Sequence, residues 1–124
     1  MSDYGDRRKE ARELVVEFTL VYEAKQGKLL GYLRDLTKNG AQVSGSKALE
    51  VGTPVSLSIE LPRDLPGVKS KTLDLNAKVA RCTVVTEEPP NYAIGFEFMT
   101  LQAGQNETID KLLQRYYFRR AWSG

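Results

Sequence analysis

Apolar and polar side chains alternate along most of the chain, and this period of two predicts β-strands with one buried face. The alternation is cleanest over residues 54–61, where four aliphatic residues are separated by Ser56, Ser58 and Glu60. Five further segments show the same period: 14–23, 28–36, 41–43, 72–85 and 92–99. Antiparallel strands in this number favour a small closed barrel or a sandwich, because closure removes exposed strand edges.

The register of the alternation also predicts which side chains are buried. For the first two strands, the predicted inward set is Val16, Phe18, Leu20, Tyr22, Leu30, Tyr32 and Leu36. For the later strands, it is Val55, Leu57, Ile59, Leu61, Leu73, Leu75, Ala77, Val79, Ile94, Phe96 and Phe98.

The period changes near the end of the chain, where apolar residues recur at helical spacing. We therefore expect a helix over residues 105–121, with Asn106 as its N-cap and Arg119 and Arg120 in its last turn. It is expected to pack on the barrel or to cover one end. The aromatic residues that follow Tyr116 then cover the barrel or contact a partner, which leaves the oligomeric state as a monomer or a weak dimer.

Composition limits the class of protein. The chain has 124 residues, 41% of them apolar and 27% charged, which indicates one soluble globular domain. No apolar run approaches the roughly 18 residues that span a bilayer, so we expect no membrane insertion. The polar start lacks the apolar core of a signal peptide, and a cytoplasmic location is expected.

The chemistry-bearing residues argue against an enzyme. The chain has no histidine, and Cys82 is its one cysteine. Such a set provides no zinc-type ligand cluster and no Ser-His or Cys-His pair, so we expect neither a metal site nor catalysis. The net charge of +2 is also small for a protein that binds long nucleic acids.

Residues 1–13 are polar and are expected to form a flexible arm that carries Arg8 and Arg12, with Arg7 before them. A guanidinium group can bind phosphate through two hydrogen bonds, bind the O6/N7 edge of guanine, or stack on a base. A basic cluster of this size suits a small anion better than a long polyanion. Taken alone, the pair is a weak signal, and a solvated run of charge is the favoured interpretation.

A polar segment separates the second strand from the third: Asp35-Leu36-Thr37-Lys38-Asn39-Gly40. The Asp35 carboxylate can accept hydrogen bonds from guanine N1–H and N2–H, Thr37 adds a hydroxyl, and Gly40 allows close approach to the backbone. Taken alone, the segment is consistent with a simple turn between strands.

Together, R-x-x-x-R followed by D-x-[ST]-x-x-G resembles the paired motifs of the PilZ family of cyclic di-GMP receptors. Four later stretches resemble landmarks of that family and follow in the same order: 40–43, 50–55, 75–79 and 92–98. The resemblance covers about residues 7–101.

The resemblance implies an all-β fold with a terminal helix: a six-stranded antiparallel β-barrel over residues 14–101, followed by the helix. It also implies a cyclic di-GMP site on the outer barrel surface, closed by the arm. By position, Arg8 and Arg12 hold guanine and phosphate. Asp35, Thr37 and Gly40 form the polar turn, in which threonine replaces the more common serine. Arg7 implies two stacked ligand molecules per protomer.

Arg81 lies on the long strand, near the place where some relatives put an aromatic or arginine side chain against guanine. It is a further candidate contact, although it also fits an exposed strand arginine. The expected function is a cyclic di-GMP receptor that changes conformation and signals to an unidentified output protein in motility, biofilm, adhesion or polysaccharide control. The alternatives are an interaction module that binds no nucleotide and, less favoured, a barrel that binds single-stranded nucleic acid.

Overall fold

The computed structural model describes residues 19–63 and 65–123, and for residues 116–123 it describes the backbone alone. In this part of the chain, six strands are followed by one helix: β1 (Leu20–Glu23), β2 (Lys28–Leu36), β3 (Gly40–Gly45), β4 (Pro54–Glu60), β5 (Thr72–Glu87), β6 (Pro90–Phe98) and α1 (Ala103–Ser123). The strands pair antiparallel and close a barrel in the order β1-β2-β3-β6-β5-β4. The predicted six-stranded barrel with a terminal helix is confirmed.

The barrel interior is a single apolar cluster to which all six strands contribute. In β4, β5 and β6 the alternation predicted the inward face correctly. Leu57, Ile59 and Ile94 are fully or almost fully buried, and the predicted inward residues of β5 are at most 5% exposed. Val55 and Leu61 are partly buried at the edge of this cluster.

The predicted inward faces of β1 and β2 are correct in part: Leu36 is buried and Leu30 packs against the core, but other positions differ. In β1, Val21 is fully buried, whereas Leu20 and Tyr22 are only partly buried. In β2, Leu33 is fully buried, and Tyr32 keeps 44% of its surface exposed. In β2 the physical reason is a β-bulge between Leu33 and Asp35, which breaks the period of two that was extended through this strand. In β1 three consecutive apolar residues, Leu20, Val21 and Tyr22, leave the alternation without a distinct polar face. Val16 and Phe18 lie outside the described residues.

Helix α1 begins three residues before the predicted N-cap. The backbone N–H of Gln102 donates to Oε1 of Gln105 at 2.7 Å. This is the hydrogen bond of a capping box in which the side chain of the third helical residue accepts the N–H of the N-cap residue, so Gln102 is the N-cap. The Asn106 N–H donates to the Gln102 carbonyl at 3.0 Å, so Asn106 is inside the helix.

One face of α1 completes the core. Ile109 and Leu112 are fully buried and belong to the same apolar cluster as the barrel interior. The Gln105 side chain donates to the backbone carbonyl of Asp74 at 2.8 Å, and Lys38 pairs with Asp110 at 3.3 Å. Helix α1 therefore covers the barrel end where β5 starts and where β2 turns into β3. In the described part of the chain, no helix is both long and apolar enough to span a membrane.

Candidate functional site

A pocket of about 450 Å³ lies on the outer surface of the barrel, beside the turn from β2 to β3. It is lined by Asp35, Thr37, Asn39, Gly40, Ala41, Gln42, Ala80, Arg81, Gly95, Phe96 and Glu97. Four residues that the sequence singled out, Asp35, Thr37, Gly40 and Arg81, are thus brought together. The other three, Arg7, Arg8 and Arg12, lie outside the described residues.

The centre of the pocket is a row of paired residues that crosses four strands. Asp35 on β2 pairs with Gln42 on β3, Gln42 pairs with Gly95 on β6, and Gly95 pairs with Arg81 on β5. Adjacent strands are about 4.8 Å apart, so the path along the row from Asp35 to Arg81 is about 14 Å, and the direct distance is shorter because the barrel wall curves. The row therefore has an acidic end and a basic end, with an amide and a bare backbone between them.

Asp35 and Arg81 face this row because each directly follows a β-bulge. In β2 the pairing passes from Leu33–Val43 to Asp35–Gln42, so Arg34 is the extra residue. In β5 it passes from Val79–Phe96 to Arg81–Gly95, so Ala80 is the extra residue. Bulges of this kind redirect side chains next to functional sites. Two independent bulges thus direct two opposite charges to the same pocket.

Thr37 holds the turn between β2 and β3 in shape. Its hydroxyl oxygen accepts the backbone N–H groups of Asn39 and Gly40, at 3.2 and 3.1 Å. Its own N–H donates to the Gly40 carbonyl at 2.9 Å. The Asn39 carbonyl, in turn, accepts the N–H of Phe98 at 2.8 Å, which fixes the turn to the end of β6. The hydroxyl, which the sequence suggested as a ligand contact, therefore already orders the loop backbone.

Gly40 is required by packing between strands. A Cβ at this position would overlap the backbone carbonyl oxygen of Phe96 on β6. The motif glycine therefore allows β3 and β6 to pair closely, in addition to any approach of a ligand to the backbone.

The formal charge of the pocket wall limits which ligands the wall can bind by itself. The lining residues include two carboxylates, Asp35 and Glu97, and one guanidinium, Arg81, which is a formal net charge of −1. Glu97 is offset by Lys78, whose Nζ lies 3.6 Å from its carboxylate on the exposed surface. An anionic ligand in this pocket therefore needs further cations from outside its described wall.

Among the pocket-wall residues that sequence reasoning missed are three on β3 and β6, namely Gln42, Gly95 and Glu97. All three occupy outward positions of strands β3 and β6, between the buried residues of those strands. A signal was available, because the inward face of β6 was predicted correctly and its outward positions followed from it. What was lacking was the strand order, which places β6 directly beside the polar turn.

Solved structures resemble this fold at low sequence identity. The PilZ domain with c-di-GMP of YcgR from Escherichia coli has a TM-score of 0.60 and 13% identity, over 83% of this chain and 86% of that one. The inhibitor of motility MotI/DgrA from Bacillus subtilis has a TM-score of 0.59 and 15% identity, over 82% and 47%. A tetrameric PilZ-domain protein from Xanthomonas campestris, self-assembled through a helical bundle, has a TM-score of 0.57 and 18% identity, over 78% and 51%.

This chain spans about half the length of the Bacillus and Xanthomonas proteins. A sequence search of curated proteins found no significant match. The PilZ domain family matches residues 6–119, which is nearly the whole chain and includes both the arginine pair and the polar turn. The chain therefore belongs to the PilZ domain family.

Proposed function

We propose that this protein is a cyclic di-GMP receptor that binds its ligand in the pocket between the β2–β3 turn and Arg81. One observation carries the proposal: Asp35, Thr37, Gly40 and Arg81 line one outer pocket, although Arg81 lies far from the others in sequence. The similar PilZ domain of YcgR was solved with c-di-GMP, which supports the ligand class.

The two ends of the pocket suit different parts of the ligand. The Asp35 carboxylate accepts hydrogen bonds from guanine N1–H and N2–H, which adenine does not offer in that pattern. The Arg81 guanidinium stacks on a base or binds a base edge. Gln42, between them, has an amide that both donates and accepts hydrogen bonds. The wall is thus suited to guanine recognition and poorly suited to phosphate.

We assign phosphate binding to the arm, residues 1–13. The lining carries a net negative charge, whereas the ligand brings two anionic phosphates. Arg8 and Arg12 supply the missing positive charge and close over the ligand, and Arg7 adds a third guanidinium. The position of Arg7 directly before the motif pair resembles the arrangement that accompanies two stacked ligands in the family, and we propose two stacked ligand molecules per protomer on that resemblance.

The proposal predicts selective binding with a defined stoichiometry. Calorimetric titration of the protein with cyclic di-GMP is expected to show binding at two ligands per protomer. Cyclic di-AMP, of the same charge and size, is the control, and it is expected to bind far more weakly because the ring N1 of adenine is an acceptor facing the Asp35 carboxylate. Absence of heat with cyclic di-GMP, or equal binding of both dinucleotides, would refute the proposed function.

Lys38 links the pocket to helix α1, so ligand binding can change the contact between them. Lys38 lies in the turn between two pocket-lining residues, Thr37 and Asn39, and its Nζ is 3.3 Å from the Asp110 carboxylate on α1. Both side chains are well exposed, at 68% and 46%, so the pair adds at most about 1 kcal/mol. We infer that an anionic ligand competes with Asp110 for Lys38 and so releases one tie between the turn and α1. The altered helix surface is then available to an output protein.

This competition predicts that Asp110→Asn raises cyclic di-GMP affinity by about two- to fivefold, because Lys38 no longer has to leave a partner. Glu107→Gln is the matched control. It removes the same charge from the same helix at an exposed position that does not pair with Lys38. Calorimetry at about 0.15 M salt screens longer-range effects. Equal gains in both variants would show that only the overall charge of α1 matters.

A further inference from the structure

Gly95 lies in the middle of the row that crosses the pocket, between Gln42 and Arg81. Its φ angle is not positive, so its backbone conformation does not require glycine. A Cβ added here would come 3.5 Å from Arg81 Cβ, 3.6 Å from its Nε and 3.8 Å from its Nη2, and these are the three nearest atoms. The space that a side chain would occupy at Gly95 is therefore bordered by the Arg81 side chain.

Glycine within a strand weakens it, because it loses more conformational freedom on folding and packs no side chain. At Gly40 the close approach of a neighbouring backbone explains the glycine, but at Gly95 the three nearest atoms all belong to the Arg81 side chain. The glycine is thus bordered by Arg81, which is the cation of the described pocket wall.

We propose that Gly95 is a positioning residue for Arg81, an inference that rests on the proposed function. The bare backbone of β6 lets the guanidinium lie along the strand at the level of Asp35 and Gln42. In that position it presents a planar face to a base held by Asp35. A branched side chain at 95 lifts the guanidinium from the strand and removes the alignment. Glycine is thus kept here for ligand binding at a cost to strand stability.

The test compares Gly95→Ala and Gly95→Val with Ala93→Val, which adds bulk at the preceding outward position of the same strand. We expect cyclic di-GMP affinity to fall about twofold for alanine and at least about tenfold for valine, since a tenfold loss requires only partial loss of one stacked or charge-assisted contact. Ala93→Val should stay within about twofold of wild type. The melting temperatures of both Gly95 variants should equal or exceed that of wild type.

Two further measurements identify the cause. In an Arg81→Ala background, Gly95→Val should add little further loss, because the residue it acts through is gone. Without any ligand, the Arg81 Nε–H resonance in nuclear magnetic resonance spectra should shift in Gly95→Val and stay in place in Ala93→Val. Equal losses in both backgrounds, or an unmoved Nε–H resonance, would overturn the role of Gly95. A different result is that the Nε–H resonance shifts as expected in Gly95→Val while the wild-type protein binds no cyclic di-GMP. That result would overturn the proposed function and leave the role of Gly95 in positioning Arg81 intact.

Discussion

Replacing Asp35 with alanine should weaken cyclic di-GMP binding by about 30- to 140-fold, because hydrogen bonds to a charged group contribute roughly 2 to 3 kcal/mol. The carboxylate is half-buried at the acidic end of the row, where the bulge at Arg34 directs it toward the pocket. A methyl group there leaves guanine N1–H and N2–H without acceptors in a site that excludes part of the water. The loss should be measured by calorimetry, with circular dichroism as a check on the fold.

Two further variants make this result specific. Asp35→Asn keeps the size of the side chain and one acceptor oxygen, so its loss should fall between those of wild type and Asp35→Ala. Asp74→Ala removes a carboxylate from the exposed outer face of β5, outside the pocket lining, and should leave affinity unchanged. If Asp35→Ala bound as tightly as Asp74→Ala, guanine would not be read at this end of the pocket.

The bulge at Arg34 also shows why the fold was predictable in some strands and not in others. Strands β4 and β6 keep strict alternation in their buried residues, so their inward faces could be predicted from the sequence alone. In β2 the buried residues Leu33 and Leu36 are three positions apart. A bulge depends on the pairing of two strands, and a single sequence does not reveal which strand is the partner.

The start of α1 differs from the prediction for a related reason. Asparagine is a strong N-cap residue by intrinsic preference, which favoured Asn106. Gln102 and Gln105 form an alternative cap through one side-chain hydrogen bond, at 2.7 Å. The geometry of the chain leaving β6 decides between them, and that geometry depends on the barrel.

The residues of the candidate site also fall into two groups: those that the sequence motif identified and those that only strand pairing reveals. Asp35, Thr37 and Gly40 lie within one segment of six residues and could be identified as a motif. Their structural roles were less accessible, since the Thr37 hydroxyl binds the backbone of its own turn. Gln42 and Gly95 enter the pocket only through the pairing of β3 with β2 and β6. Residues that serve by their register across strands cannot be found from local pattern alone.

Gly40→Ala should be the most destabilising of the substitutions considered, with a loss of about 2–3 kcal/mol in the free energy of unfolding. The added Cβ would overlap the Phe96 carbonyl oxygen, which belongs to the backbone of β6 and cannot move by rotating a side chain. Strands β3 and β6 would have to separate where Gly40 pairs with Glu97. For a domain of this size we expect a fall in melting temperature of roughly 10 °C.

Gly104→Ala is the matched control for this loss. Gly104 lies in the first turn of α1 with nothing within 4 Å of an added Cβ, and alanine favours a helix, so its melting temperature should hold or rise. We therefore expect the same change to have opposite effects on stability at Gly40 and Gly104, and at Gly95 to affect mainly the binding of the ligand. A Gly40→Ala protein as stable as Gly104→Ala would mean that β3 and β6 can separate freely beside the turn. Gly40 would then be retained for contact with the ligand alone.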